Sequence, residues 1–148
     1  MTSSTATGTA DCFDIDYGIS QQIGSASTKG SLEMASSYTE GLSAKVSLAL
    51  KSTCTNVSGT ATLYLNTSSA SSNILKGALK YTVLNGSTVV GTGVINTSNK
   101  ITLVSNLDVS STTPVTYTVY VWLDGTIADN SYANATYTGY ISAEAVSK

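Results

Sequence analysis

The sequence predicts an all-β protein: an antiparallel two-sheet sandwich, similar to a jelly roll, with about seven to nine strands. Two observations lead to this fold class. Short stretches in which apolar and polar residues alternate recur almost to the C-terminus, and Gly, Ser, Thr and Asn residues separate them. The chain has 148 residues, which is enough for one domain with a core of its own.

The first predicted strand begins after Cys12, where apolar residues alternate with two aspartates and a glycine; the apolar members are Phe13, Ile15, Tyr17 and Ile19. This alternation is typical of a strand with one buried and one solvated face. A polar stretch covers 20–39. Alternation resumes at 45–51 and ends near Cys54, so each cysteine lies at the edge of a predicted strand.

A hairpin is predicted in the middle of the chain. The third strand is marked by leucines within 63–65, and the fourth covers 79–83. The fourth strand leads into Asn85-Gly86, the dipeptide that best suits a type I′ hairpin turn, and the return strand follows it. The Ser-rich stretch 68–75 is predicted to be a loop with at most one helical turn, at 73–76.

The C-terminal third contains the strongest strand patterns. After shorter pieces within 101–109, Pro114 marks a strand start, where its missing N–H does little harm. The strand 116–123 carries bulky residues on both faces, which predicts a central strand covered on both sides. The chain closes with alternating residues over 137–145.

The composition excludes several classes of function. The chain has no His and no Arg, only 11% of its residues are charged, and the net charge is -2. Acid-base, phosphate and most metal sites depend on those residues, so we expect neither an enzyme nor a cofactor. Seven scattered lysines do not form a nucleic-acid-binding surface. No apolar run is long enough to span a membrane. Roughly a third of the residues are Ser or Thr, and such a weakly charged surface favours contact between copies of the chain.

The two cysteines lie far apart, and without His they cannot complete a four-ligand zinc site. A disulfide between Cys12 and Cys54 is the preferred interpretation, and two separate buried thiols are the alternative. The residues after Met1, at 2–10, contain no apolar stretch typical of an export signal. We therefore expect an exported protein whose signal is not part of this chain.

Other candidate sites are weaker. Asp124 and Asp129 flank a loop that ends at Asn130, and their oxygens suit Ca²⁺, although turn formation is the preferred interpretation. The acidic residues Asp11, Asp14 and Asp16 are predicted to form a solvated strand face. Trp122 and the tyrosines form either a sugar-stacking platform or, as the preferred alternative for Trp122, part of the core. Five possible glycosylation sequons begin at Asn56, Asn66, Asn85, Asn96 and Asn134.

The order of these features resembles the TasA/camelysin group of exported fibre proteins. The likeness rests on Cys-Phe-Asp-Ile-Asp-Tyr at 12–17, Ser-Thr-Cys at 52–54, the aromatic strand with Trp-Leu-Asp-Gly at 117–125 and the Gly-x-Ile-x-Ala strand at 137–145. It implies a jelly-roll subunit of an extracellular or biofilm-matrix filament, a pilus-like homopolymer that also contacts other matrix or surface components. The proteolytic activity ascribed to camelysin is not implied, because the chain lacks His.

In such fibres an N-terminal strand is donated to the next subunit, which is β-augmentation. The resemblance therefore implies two parts: residues 1–18, with the candidate assembly strand Phe13, Ile15, Tyr17 and Ile19, and a sandwich domain at 19–148. The disulfide then lies within a subunit, the preferred arrangement, or between two subunits. A carbohydrate-binding surface adhesin and a phage or virion structural protein remain the alternative functions.

Overall fold

The computed structural model describes residues 5–7, 12–24, 34–54 and 56–147, and at 5–7 it describes the backbone alone. These ranges contain eleven strands arranged in two sheets. The predicted all-β sandwich is confirmed. The strands outnumber the expected seven to nine because three of the eleven are pieces of only two or three residues.

Sheet A has five strands. The order is β1-β11-β6-β9, and β3 pairs with the same edge region of β11 as β1. The strands are β1 Thr5–Thr7, β3 Gln22–Ile23, β6 Gly59–Ala70, β9 Ile101–Val109 and β11 Tyr137–Ser147. All their pairings are antiparallel except that of β1 with β11. The long β6 and β11 pair from end to end, with a register shift between Thr138 and Gly139.

Sheet B has six strands in the order β2-β5-β10-β7-β8, with β4 paired in parallel to the end of β10. The strands are β2 Phe13–Asp16, β4 Met34–Ala35, β5 Leu42–Leu50, β7 Leu79–Asn85, β8 Thr88–Val94 and β10 Val115–Asp124. As predicted, β10 follows Pro114 and lies in the middle of its sheet. Three short 3-10 helices lie in the connections: Tyr38–Glu40, Ser72–Ile74 and Asn130–Tyr132. The first half of the predicted loop 68–75 is strand, because β6 continues to Ala70.

The core lies between the two sheets and contains the inward members of each alternating pattern. Sheet A contributes mainly β6 and β11, and sheet B mainly β5 and β10. The inward residues of these four strands include Val46, Leu48, Leu63, Leu65, Tyr117, Val119, Val121, Leu123, Tyr137, Ile141 and Ala143, none of which is more than 4% exposed. Burial of these side chains is the main stabilising contribution to the sandwich.

The outer face of β10 is only partly covered, and this corrects the prediction that it is buried on both sides. Trp122 points outward and is half-buried, so it does not belong to the core as preferred from the sequence. The 3-10 helix Tyr38–Glu40 lies over this face, with the ring of Tyr38 centred 5.2 Å from that of Tyr120. The bulky residues on both faces of β10 thus serve a core on one side and an exposed wall on the other.

The hairpin between β7 and β8 is confirmed, but its turn is shifted by one residue from the prediction. Asn85 still belongs to β7 and pairs with Thr88, which leaves Gly86 and Ser87 as the loop. Gly86 has a φ of 61°, whereas Ser87 is not among the residues with positive φ. This is the φ pattern of a type II′ turn, in which Gly occupies the first central position.

The two lateral sides of the sandwich are closed in different ways. On one side, edge strands β8 and β9 approach so closely that a Cβ added to Gly91 would lie 3.1 Å from the carbonyl oxygen of Leu103. On the other side, the edges of β5 and β11 are covered by β1, β2 and β3. All three of these strands come from the first 23 residues and contain only two to four residues each. We call this side the N-terminal edge.

Candidate assembly site at the N-terminal edge

The two cysteines form a disulfide within the chain. The Cα atoms of Cys12 and Cys54 are 5.4 Å apart, and the sequence separation between them is 42. The backbone N–H of Lys51 donates to the carbonyl oxygen of Cys12 over 2.8 Å. The disulfide therefore joins the start of β2 to the turn after β5, which is the internal pairing of the two that the sequence left open.

The four residues predicted as the assembly strand lie at different depths. Phe13 is 5% exposed and Tyr17 2% exposed, whereas Ile15 is half-buried and Ile19 is fully exposed. In this chain β2 pairs antiparallel with its own β5. Residues 12–18 are thus integrated into the sandwich instead of forming a separate segment, because their apolar side chains complete its core. Their transfer to a neighbouring subunit stays a prediction.

Phe13 fastens sheet B to sheet A at this edge. A Cβ added to Gly59, the first residue of β6, would lie 2.5 Å from two atoms of the Phe13 ring and 2.6 Å from the carbonyl oxygen of Val146. Only a glycine leaves room there for the ring to lie against the backbone of β6. The ring therefore occupies the space between the end of sheet B and the paired ends of β6 and β11.

Side chains replace a strand along the middle of the exposed edge of β11. The backbone N–H of Ala143 donates to the phenol oxygen of Tyr17 over 2.9 Å. At Ile141, the N–H donates to the carbonyl oxygen of Gln21, and the carbonyl oxygen accepts from Gln21 Nε2, both over 2.9 Å. Burial raises the pKa of Tyr17, and the hydrogen bond from Ala143 partly offsets this effect.

Short strands continue this edge in both directions. β3 pairs antiparallel with Gly139 and Tyr140, and β1 pairs in parallel with the stretch from Glu144 to Val146. The edge of β11 is thus covered from 139 to 146 by two strand pieces with side-chain contacts between them. Neither Gln21 nor β1 was identified from the sequence, because pieces this short show no periodicity and their partners lie more than 100 residues away.

The predicted calcium loop is built as a turn. The Asp124 carboxylate accepts a hydrogen bond from Lys80 Nζ over 2.7 Å, and it also accepts from the backbone N–H of Thr126 over 2.9 Å and from its hydroxyl over 2.7 Å. These donors, Lys80 first, lower the pKa of Asp124 to about 2. The carboxylate oxygens are therefore engaged by an ammonium group and a turn, as in an Asx turn.

We expect the Asp124→Asn variant to lose stability by about 1–2 kcal/mol at neutral pH, because a neutral amide pairs less strongly with Lys80. Because the folded-state pKa lies below the unfolded value of about 3.9, this stabilisation is present above pH 4 and disappears as the pH falls towards 2. Thermal unfolding of both proteins between pH 7 and pH 2 measures the difference. The exposed Asp14→Asn variant is the control, and a difference between wild type and Asp124→Asn that grows towards pH 2 would contradict the assignment.

The remaining acidic residues also have structural partners or solvent around them. Asp129 caps the 3-10 helix Asn130–Tyr132 by accepting from the backbone N–H of Ser131 over 2.9 Å. The carboxylate of Asp16 accepts from the backbone N–H of Gly18 over 2.8 Å, and Asp11 lies outside the described residues. Within the described ranges, no group of three or more His, Cys, Asp or Glu residues could hold a metal ion.

The outward aromatic residues of sheet B do not share one plane. The rings of Tyr38 and Tyr120 are inclined at 57° to each other. The indole N–H of Trp122 donates to the hydroxyl of Thr82 over 3.1 Å, and Lys80 Nζ lies 5.8 Å from the centre of an indole ring. The two tyrosines therefore offer no common flat surface on which a sugar ring could stack.

The five sequons differ in accessibility. Four of their asparagines are exposed: Asn56, Asn85, Asn96 and Asn134. Asn66 is half-buried, and its amide nitrogen donates to the hydroxyl of Ser142 over 2.9 Å and to the carbonyl oxygen of Tyr140 over 3.4 Å. A glycan on Asn66 would break these contacts between β6 and β11, whereas the other four positions would not require such a change.

No helix in the described part of the chain has the length and apolarity needed to cross a membrane. Comparisons of the chain with protein-family models, with curated proteins and with solved structures give no match. The resemblance to the TasA/camelysin group therefore rests on the sequence motifs alone and remains a prediction.

Proposed function

We propose that this protein is a structural subunit of an extracellular filament, and that the subunits assemble head to tail by donating an N-terminal strand to the neighbouring copy. The resemblance to exported fibre proteins suggests this function. The observation that supports it best is the N-terminal edge, where one whole side of the sandwich is closed by short strand pieces from the first 23 residues.

Exchange of such a piece between copies has a low energetic cost. Apart from β4, the strands outside the N-terminal region contain seven to twelve residues, whereas β1, β2 and β3 contain three, four and two. A strand supplied by a second copy makes the same contacts as the chain's own strand, which is the basis of domain swapping. A head-to-tail contact of this kind repeats without closing when its rotation does not return to the start, and it then produces a filament.

The extracellular location is supported by the Cys12–Cys54 disulfide, since disulfides persist in oxidising compartments. The low charge of the chain fits a surface that is in contact with other copies of itself. The proposed partner is therefore the protein itself, together with other matrix or surface components. The proposal assigns no catalytic residue, no cofactor and no nucleic-acid contact.

Electron microscopy and sedimentation of the purified protein test the proposal. We expect the wild-type chain to form filaments, and a variant that lacks residues 2–17 and carries Cys54→Ser to remain unassembled. The full-length Cys12→Ser/Cys54→Ser variant is the matched control for the lost disulfide, and it should still assemble. A wild-type protein that stays monomeric at all concentrations, or a truncated variant that still forms filaments, would overturn the proposal.

A further inference from the structure

We infer that the donated element is the segment upstream of Cys12, which contains β1, and that its acceptor is the Glu144–Val146 edge of β11 in a second copy. This inference rests on the proposed function. It divides the N-terminal region into a fixed part, from Cys12 to Ile23, and an exchangeable part before Cys12.

The fixed part is held in three independent ways. The disulfide joins Cys12 covalently to the end of the β5 turn. The Phe13 ring is buried against Gly59, and Tyr17 is buried with its phenol oxygen bonded to the N–H of Ala143. Donation of β2 would require reduction of the disulfide and removal of two aromatic side chains from the core, each of which costs several kcal/mol.

The exchangeable part is held by less. β1 contains three residues, its described pairing is with β11 alone, and this pairing is parallel. Parallel pairing is slightly weaker per residue than antiparallel pairing. Isolated pieces of two or three strand residues contribute little by themselves. The segment before Cys12 can therefore leave its own subunit without disturbing the core or breaking the disulfide.

The acceptor edge fits the same segment from another copy. In the single chain, Thr5, Ala6 and Thr7 are the register partners of Glu144, Ala145 and Val146. A second copy's Thr5–Thr7 would meet the same backbone donors and acceptors, so it needs no new complementarity. Val146 is 42% exposed, which leaves the outer end of this edge open to an incoming chain. The occupant of this edge in a filament is thus a second copy of this chain.

An engineered disulfide tests the inference, because Thr7 and Val146 are register partners. The Thr7→Cys/Val146→Cys variant, oxidised as a monomer, has its β1 locked to its own β11. We expect this locked variant not to form filaments, while Thr7→Cys with its thiol alkylated still does. In filaments grown from a mixture of Thr7→Cys and Val146→Cys chains, oxidation should link the two kinds of chain, and peptide mapping by mass spectrometry identifies the bond.

The wild-type filaments supply a second readout. After thiol alkylation and dissolution in detergent without reductant, they should run as monomers, because Cys12–Cys54 stays within each subunit. A ladder of linked chains would show that β2 is exchanged and would overturn the inference, as would filaments formed by the locked variant. Either result leaves the filament function standing, whereas the absence of wild-type filaments removes the proposed function itself.

Discussion

Replacing both cysteines with serine should lower the free energy of unfolding by about 4 kcal/mol, because the disulfide closes a loop with a sequence separation of 42 and restricts the unfolded chain. For a domain of this size, such a loss corresponds to a decrease in melting temperature of roughly 8–16 °C. Urea and thermal unfolding of the Cys12→Ser/Cys54→Ser variant measure both quantities. The substitution itself is small, so most of the change reports the lost crosslink.

Wild-type protein unfolded in the presence of a reductant is the control for this experiment. Its stability should fall to that of the double serine variant, because both lack the same covalent bond. The double variant is not expected to change further on adding reductant. If the double variant unfolds at the same urea concentration as the oxidised wild type, the disulfide does not stabilise the domain, and the role assigned to it at the N-terminal edge is wrong.

Truncation of Phe13 to alanine should cost about 3–5 kcal/mol, since it removes a buried aromatic ring and leaves a cavity between the two sheets. The ring is 5% exposed and lies against Gly59, so the backbone of β6 cannot move inward easily to fill the space. Chemical denaturation monitored by the single Trp measures the loss. Hydrogen exchange at β2 and at the paired ends of β6 and β11 should increase, because the ring joins these elements.

The Ile19→Ala variant is the matched control for Phe13→Ala. Both residues were predicted to lie on the same strand face, yet Ile19 is fully exposed and lies beyond β2. Its truncation should change stability by no more than about 0.5 kcal/mol. An equal loss in the two variants would contradict the burial difference on which the fixed part of the N-terminal region is based.

The sequence was sufficient for the long strands, because their alternation continues for several residues and reflects burial directly. β10 and β11 were predicted close to their observed bounds, Val115–Asp124 and Tyr137–Ser147. Alternation shows which residues share a face, but it does not show which face is inside when both are bulky. Trp122 was therefore assigned to the core, although the inward face belongs to the set that includes Tyr117 and Val119.

The candidate site was harder to predict because it depends on contacts that are distant in sequence. The Asn-Gly rule placed the hairpin turn one residue too early, since strand pairing holds Asn85 opposite Thr88. The pieces β1, β3 and β4 are too short to show a period. Gln21 has no sequence feature that points to β11, although it binds both backbone groups of Ile141. Two cysteines suggest a disulfide, but only the fold shows that both belong to one chain.

The position of β11 at the C-terminal end of the chain determines the order in which the molecule can be completed. β1 and β3 both need β11 as a partner, so neither can settle until the last residues have been synthesised. Cys12 and Cys54 both emerge much earlier, within the first 54 residues. A growing chain can therefore acquire its crosslink while half of its own edge is still missing, and it reaches the outside of the ribosome as an intermediate that a waiting copy can bind.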